Sequence, residues 1–445
     1  MAELLPELIE EVVSAPERDE QDIIASLVAA QDTDDVALLL ESLPLDQRLK
    51  VWEGIPKRRR LDVLVAMRGD PRETLIAATD IDEWEAIFFE VDAEQLLELS
   101  DSLPDALVGK ALDAMDKQQR KYFTDASQFS DDQIGHWLSQ DPLVLPLNAK
   151  VRDALRLIRR DIPTHADTIF LVNRAGQFSE AVKLTKVMGL PEHVPLVDLS
   201  EEVFDTINAT DELTLASLTV QRSGFASLPV VDEQNKVLGR LDISTASELL
   251  NEFYERQVMA TAGMDEDEDL FSSVPKSAKN RAVWLGINLL TAFLASAFIG
   301  MFEATLQQVV ALAVLMPIVA SMGGIAGSQT LTLMIRGLAL GQVTSSNVKA
   351  LLKKELSVGG LNGVVWALVI GCIASFWFSD LMLGVVICLA ILLNIVAAAA
   401  AGVIVPVVLN KFDIDPALSG SVILTTVTDI VGFVAFLGLG SLFLL

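Results

Sequence analysis

The sequence predicts a multidomain integral membrane protein with an all-α helical solenoid, an α/β pair, a connecting helix and a five-helix transmembrane domain. Two observations carry this prediction. The chain is 51% hydrophobic over 445 residues, yet its formal net charge is −28. Only six of its 61 acidic residues and eight of its 33 basic residues lie in 276–445. Residues 1–275 are therefore strongly acidic, which disfavours a nucleic-acid partner because phosphate contacts need Lys and Arg patches.

Residues 1–140 read as an acidic helical domain. Short segments with helical apolar periodicity alternate with Pro or Asp turn residues. Two of them, LLLESLPLDQRLKVW and LELSDSLPDALVGKAL, repeat the same helix–Pro–helix pattern. This repetition indicates stacked helical hairpins, which form a small solenoid.

Residues 141–195 and 196–246 read as two copies of one α/β unit. The strand-like segments TIFLV and SLPVV are each preceded by a helical pattern and followed by a turn. The duplication resembles a pair of cystathionine-β-synthase (CBS) domains, most clearly in FASLPVVDEQNKVLGRLDISTASELL. The resemblance implies an adenine nucleotide as a candidate ligand, although the sequence holds no specific nucleotide signature.

Residues 247–275 connect this pair to the apolar part and contain the acidic run 265–269. A charge run of this kind is either a solvated surface or, next to the entrance of an ion path, a surface that raises the local cation concentration.

Five apolar runs follow, each long enough for one crossing, since a helix rises ~1.5 Å per residue and needs ~20 residues to span the hydrocarbon. They are 282–302, 304–335, 356–379, 381–410 and 416–445. All eight basic residues of this part lie before span 1 or between spans 2 and 3 or spans 4 and 5. Positive charges stay inside, so we expect cytoplasmic N-terminal domains, an outside C-terminus and a location in the cell (inner) membrane. Residues 1–22 lack the apolar core of a signal peptide, and Cys372 and Cys388 read as apolar fillers.

Span 2 contains Pro317 and the small-residue segment SMGGIAGSQT at 321–330. Pro and Gly pairs weaken helices, so we expect a backbone break. Its carbonyls would then face an ion path, as in discontinuous transporter helices. The alternative is a kink whose small residues pack against a neighbouring helix.

Asp429 lies near the middle of span 5, and Thr425, Thr426 and Thr428 surround it. A carboxylate at this depth is costly and usually functional, and hard divalent cations prefer such oxygen ligands. The alternative is a structural, hydrogen-bonded Asp. Asn394 in span 4 is expected to bond a neighbouring helix.

The segments MPIVASMGGIAGSQTLTLMIRGLALGQV (316–343) and IDPALSGSVILTTVTDIVGFVAFLGL (414–439) resemble the MgtE family of magnesium channels. The order of domains agrees over nearly the whole chain. The resemblance implies a homodimer with a pore on its two-fold axis and Asp429 as the pore carboxylate. It also implies that Ser321, Gly323, Gly324 and Thr425 lie at the constriction, where Mg²⁺ would be held with its water shell.

The resemblance further implies that the acidic cytoplasmic domains sense Mg²⁺ and close the pore through the connecting helix. The sequence departs from the family pattern in three places, which read Gly323-Gly324-Ile325, Ser244-Thr245 and Arg256-Gln257. The remaining candidate sensor carboxylates are Glu248, Glu252, Glu255, Asp265 and Asp415.

The leading hypothesis is a Mg²⁺-selective channel gated from the cytoplasm. Because Ile325 replaces an amide, a Co²⁺ or Mn²⁺ transporter with altered gating is the alternative. A non-transporting membrane sensor of cations or nucleotides is a third hypothesis. We expect no enzyme, since the three His residues are scattered and no nucleophile–base pair or phosphate loop is evident.

Overall fold

The computed structural model describes residues 5–14, 20–159, 162–201, 204–264, 268–412 and 414–445. It divides into two compact units, which we describe separately. The first comprises 1–254 and 266–274, and the second comprises 255–265 and 275–445.

The first unit begins with a helical solenoid. Helices pack on the next but one, as in α1 with α3, α2 with α4 and α3 with α5. Pro44, Pro56 and Pro104 stand directly before α4, α5 and α9, where a fixed φ starts a helix without losing a hydrogen bond. The helices are α1 (Leu5–Ser14), α2 (Glu20–Ala30), α3 (Thr33–Glu41), α4 (Leu45–Gly54), α5 (Lys57–Ala66), α6 (Gly69–Ala78), α7 (Trp84–Ile87), α8 (Ala93–Leu99), α9 (Asp105–Ala114) and α10 (Lys117–Ala126).

Two α/β modules follow, and each contains a three-stranded sheet of the same order and direction. The first contains β1 (Val144–Pro146), α11 (Val151–Ile158), β2 (Thr168–Val172), β3 (Phe178–Lys183) and α12 (Leu184–Val187). The second contains β4 (Ile207–Asn208), α13 (Leu213–Ser223), β5 (Ser227–Val231) and β6 (Val237–Asp242). In each sheet the first pair of strands is parallel and the second antiparallel, with a register shift at matching positions. The predicted strands TIFLV and SLPVV are β2 and β5, and the CBS-pair fold is confirmed.

The segment before β1 belongs to the second module. Ile134 and Leu138 are buried in that module's core, and the Ile134 N–H donates to the backbone oxygen of Asp211 at 3.0 Å. Gly135 allows this close packing, since a Cβ there would lie 2.5 Å from the Phe129 ring. The domain boundary placed at residue 140 therefore needs correction, because it falls after residues that already pack in the second module.

Four aromatic rings connect the two modules. Phe170 and Phe178 of the first module and Phe204 and Phe225 of the second have neighbouring centroids 4.4–6.2 Å apart. The Lys183 ammonium lies 4.3 Å from the centroid of the Phe225 ring. We refer to these four rings as the aromatic cluster, which links β2 and β3 of the first module to the core of the second.

The connecting helix α14 (Ile243–Thr261) starts directly after β6. The boundary between the two compact units falls within it, between Tyr254 and Glu255. In the second unit, Ala260 near its end is buried against Leu331 and Ile335.

The second unit contains five helices long and apolar enough to cross a membrane, among the described residues. They are α15 (Val274–Gly300), α17 (Val310–Ala339), α18 (Val348–Phe378), α19 (Leu381–Lys411) and α20 (Pro416–Phe443), with the short α16 (Glu303–Gln308) before α17. α19 packs against α17, α18 and α20 and is the central helix of the bundle. α15, by contrast, packs little against the bundle: among its described residues, Ala295 is the one that is buried.

The predicted break in span 2 is wrong. α17 is one continuous helix that contains Pro317 and the whole of 321–330. A single Pro removes one donor, and the helix accommodates that loss. The glycines serve packing instead, since Cβ atoms at Gly323 and Gly327 would clash with Asn394 and approach Leu424. The chain departs from helical geometry earlier, at Val309 between α16 and α17, where φ is −124° and ψ is 80°.

Candidate functional site

α17 and α20 pack side by side in opposite directions. The contacting pairs are Leu312 with Gly440, Val319 with Gly432, Gly327 with Leu424 and Leu331 with Gly420. Asp429 precedes Gly432 by about one helical turn. This register puts Asp429 at the depth of the segment 321–324 on α17.

One side of this helix pair is polar. In an antiparallel pair, the residue after each contact position turns to the same side, since each residue adds about 100° of rotation. Ser328 follows the contact residue Gly327, and Thr425 follows Leu424. A groove of about 450 Å³ runs along α17 on this side, lined by Ser321, Gly324, Ile325, Ser328, Gln329 and Thr332. We call these six residues, with Thr425 and Asp429, the polar face.

The Asp429 carboxylate is half-buried, and the hydrogen bonds of the neighbouring threonines do not involve it. Thr425 is exposed, and its hydroxyl donates to the backbone oxygens of Ser421 and Val422, both at 3.0 Å. Thr428 is buried and donates to the oxygen of Thr425 at 3.0 Å. The exposed Thr425 hydroxyl oxygen keeps a lone pair that can accept a hydrogen bond from the water shell of a cation, whereas the buried Thr428 hydroxyl cannot reach one. A carboxylate turned to hydrocarbon at this depth is costly, so the polar face requires water or protein against it.

The predicted pore residues do not all share this face. Ser321 and Gly324 line the groove, but Gly323 is buried on the bundle side, where a Cβ would lie 2.3 Å from Asn394 Nδ2. The family resemblance assigns the backbone around Gly323, rather than a side chain, to the constriction, and this assignment stays a prediction. Sequence reasoning missed Ser328, Gln329 and Thr332, which follow Ser321 at helical spacing and were detectable from that period. Ile325, at 59% exposure, is the apolar exception.

The candidate sensor carboxylates are distributed over different surroundings. Glu252 on α14 forms an ion pair with Arg68 at 3.1 Å, and Glu248 accepts from the Ser244 hydroxyl at 3.4 Å. Glu255 is exposed on the same helix. Asp415 accepts from the Ala417 N–H at 2.7 Å and caps α20. Asp265 lies outside the described residues.

Acidic residues of the solenoid and of α14 influence one another electrostatically. Loss of surrounding water raises the pKa of Glu248, and the charges of Asp242 and Glu252 add to this rise. Burial also raises the pKa of Glu98, although Arg72 donates to it at 2.9 Å. The Arg68 charge opposes the rise at both residues, so basic side chains supply part of the counter-charge in this region. In the part of the chain that the structure describes, no three acidic, His or Cys side chains form a metal-binding cluster.

Five apolar helices with a carboxylate on a polar face at mid-span are typical of membrane proteins that transport cations. Comparison with known families agrees. A family model described as "MgtE: Divalent cation transporter" matches residues 316–439, and one for the MgtE intracellular N domain matches 31–132. The chain belongs to the MgtE family of divalent cation transporters.

Two curated relatives extend this likeness over most of the chain. The magnesium transporter MgtE of Bacillus subtilis is 25% identical over 361 residues, covering 80% of this chain and 79% of the relative. That of Thermus thermophilus is 25% identical over 339 residues, covering 75% and 74%.

Two solved structures of soluble domains are similar to part of this chain. A CBS pair domain from Shewanella oneidensis MR-1 is 31% identical with a TM-score of 0.33, covering 38% of this chain and 98% of that one. The cytosolic domain of the Mg²⁺ channel MgtE in complex with ATP is 15% identical with a TM-score of 0.47, covering 54% and 99%.

Proposed function

We propose that this protein is a Mg²⁺ channel that mediates magnesium uptake across the cell (inner) membrane. The observation that carries the proposal is the position of Asp429 on the polar face, level with Ser321 and Gly324. A carboxylate that has no hydrogen-bond or ion-pair partner among the described residues, beside a row of hydroxyl and amide oxygens at mid-span, suits a divalent cation better than any apolar substrate.

The proposal includes a homodimer whose two polar faces meet on a common axis. Two Asp429 carboxylates would then balance the charge of one divalent ion. Since α17 is continuous, side chains rather than freed backbone carbonyls contact the ion. Mg²⁺ loses water reluctantly, so it passes with most of its water shell and meets these oxygens through that water.

The orientation follows from the basic residues near the span ends, with the N-terminal domains in the cytoplasm and the C-terminus outside. Uptake then needs no further energy source, because two charges moving inward across 100 mV release ~4.6 kcal/mol.

We propose that cytoplasmic Mg²⁺ gates the channel at the acidic surfaces of the solenoid and α14. Glu248, Glu252 and Glu255 lie on α14, the element that continues towards span 1. Bound Mg²⁺ would reduce the repulsion among Asp242, Glu248, Glu252 and Glu98, and so hold α14 against the solenoid. Arg256 and Gln257 place a positive charge and an amide on this helix, so we expect the response to be weaker than in a chain with two acidic residues there.

An adenine nucleotide at the α/β pair is a further regulatory ligand that the CBS resemblance supports. Titration calorimetry with ATP and AMP on the purified chain measures it directly. Absence of heat at millimolar nucleotide would remove this part of the proposal.

Transport of Co²⁺ or Mn²⁺ is the alternative, and Ile325 is the observation that favours it. An apolar side chain within the groove removes an amide that could orient the water shell of Mg²⁺. Competition of Mg²⁺, Co²⁺ and Mn²⁺ in one uptake assay decides between the two substrates.

Reconstitution in liposomes with a Mg²⁺-sensitive dye tests the main proposal. We expect Asp429→Asn to lower the initial Mg²⁺ flux at least about tenfold, equivalent to about 1.4 kcal/mol. Asp380→Asn is the matched control, since Asp380 is a transmembrane-domain carboxylate that caps α19 through the N–H groups of Met382 and Leu383. Asn also caps helices, so this variant should retain flux. Undiminished flux in Asp429→Asn would contradict the pore assignment.

A further inference from the structure

Asn394 is a fully buried amide near the middle of α19, with 0% exposure. Its Nδ2 donates a hydrogen bond to the backbone oxygen of Val319 on α17, with 2.9 Å between the atoms. Polar side chains join membrane helices in this way because lipid offers them no partner. The bond ties α19 to α17 at mid-span.

Two glycines make room for this side chain. A Cβ on Gly323 of α17 would lie 2.3 Å from Asn394 Nδ2, and a Cβ on Gly432 of α20 would lie 2.6 Å from the same atom. Neither distance is tolerated between non-bonded heavy atoms. The amide of Asn394 is therefore in direct contact with the backbones of both helices that carry the polar face.

These contacts lie directly behind the polar face. Gly323 precedes Gly324 of the groove by one residue, and Gly432 follows Asp429 by about one turn. A change in the volume of the Asn394 side chain therefore alters the separation of α17 and α20 at the depth of Asp429.

The side-chain oxygen of Asn394 gives an independent reason to infer that this residue positions the neighbouring helices rather than stabilising the fold. Asn394 Oδ1 is buried, and no donor within the described residues reaches it. A buried acceptor without a donor is destabilising, whereas Leu of similar size avoids that cost. Stability alone therefore does not account for an amide here.

We propose that Asn394 is a positioning residue that fixes the separation of α17 and α20, and thereby determines which hydrated divalent cations the polar face accepts. The inference rests on the proposed function because it takes the polar face as the ion path. Asn394 acts through Gly323 and Gly432 and does not itself contact the ion.

Uptake of Mg²⁺ and Co²⁺ into liposomes by full-length variants tests this role. Asn394→Ala should change the Mg²⁺/Co²⁺ uptake ratio at least about threefold, and Gly323→Ala should lower Mg²⁺ flux about tenfold. In the double variant the smaller residue 394 makes room for the new Cβ, so flux should return to within about twofold of Asn394→Ala. Gly360→Ala is the control, since nothing lies within 4 Å of a Cβ there.

A residue that only supports folding would lower yield and flux together and leave the ion ratio unchanged. An unchanged ratio in Asn394→Ala, or a double variant as inactive as Gly323→Ala, would overturn the proposal.

A second measurement does not depend on transport. With Cys372 and Cys388 replaced by Ala, a Thr425→Cys thiol reports access to the polar face through its reaction rate with a charged methanethiosulfonate. We expect Asn394→Ala to change this rate at least about threefold, and Gly360→Ala to leave it unchanged. An unaltered rate would overturn the positioning role. An altered rate in a protein that transports no divalent cation would support it and contradict the proposed function alone.

Discussion

Arg48 and Asp269 form an ion pair in which Nη2 and Oδ2 are 3.0 Å apart and the Arg48 side chain is 1% exposed. The same guanidinium donates to the backbone oxygens of Leu40 and Leu43, at 2.8 and 3.1 Å. One arginine thus joins the end of α3 to the acidic segment that precedes span 1.

We expect Arg48→Met to destabilise the first unit by roughly 3 kcal/mol, because it leaves Asp269 and the carbonyl oxygens of Leu40 and Leu43 without their donor. Denaturation of the detergent-solubilised chain, followed by the fluorescence of Trp52 and Trp84 after the other four Trp residues are replaced by Phe, measures this loss. Arg48→Lys keeps the positive charge but lacks the planar guanidinium with its several N–H donors, so this variant should lose less stability. Equal losses in both variants would show that the positive charge contributes nothing beyond the guanidinium geometry, and would contradict a role for the ion pair with Asp269.

Mg²⁺ should protect residues 247–264 from protease in the solubilised chain. The cation reduces repulsion around Glu248 and Glu252 and holds α14 in place. Glu252→Gln should raise the Mg²⁺ concentration needed for protection, since it removes one carboxylate. Sodium chloride at equal ionic strength is the control for general screening. Identical cleavage with and without Mg²⁺ would contradict a sensor in this unit.

Glu248→Gln should change the pH dependence of stability. The pKa of Glu248 is raised above its usual value of 4.5 in the folded chain. Its contribution to stability is therefore fully present below that value and is lost as pH rises through the folded pKa. The variant should have a higher Tm than the parent chain at about pH 7 and the same Tm at about pH 4. A Tm difference that is equal at both pH values would contradict this assignment.

Ile325→Asn should increase Mg²⁺ uptake relative to Co²⁺ uptake, because it adds an amide to the polar face at the depth of Asp429. The ratio of initial rates in one liposome preparation measures the change. Leu361→Asn is the control, since Leu361 is 71% exposed on α18 and outside the groove. The same ratio change in both variants would indicate a nonspecific effect of polarity.

The sequence predicted the fold well wherever apolar residues recurred at a regular spacing or a segment was repeated. The five apolar runs, the strands TIFLV and SLPVV and the proline-started helices all correspond to observed elements, because each is determined by local patterning. The packing of Ile134 in the second module was not visible, since it depends on a contact with β4 and α13 that no local pattern encodes.

The candidate site was predicted in part. Asp429 is conspicuous because a charge within an apolar run is rare, and Ser321 and Gly324 lie on the polar face with it. The continuity of α17 through Pro317 was missed, because local propensity gives no weight to the neighbours that stabilise a helix. The orientation of Gly323 towards Asn394 requires the register of three helices and therefore needed the structure.

The aromatic cluster has a consequence for folding. Phe170 is fully buried, and its ring contacts Phe204 of the second module as well as Phe178 of its own, so part of the first module's burial depends on the second. The duplicated modules should consequently melt in a single cooperative transition, and neither copy should be viable as an independent domain.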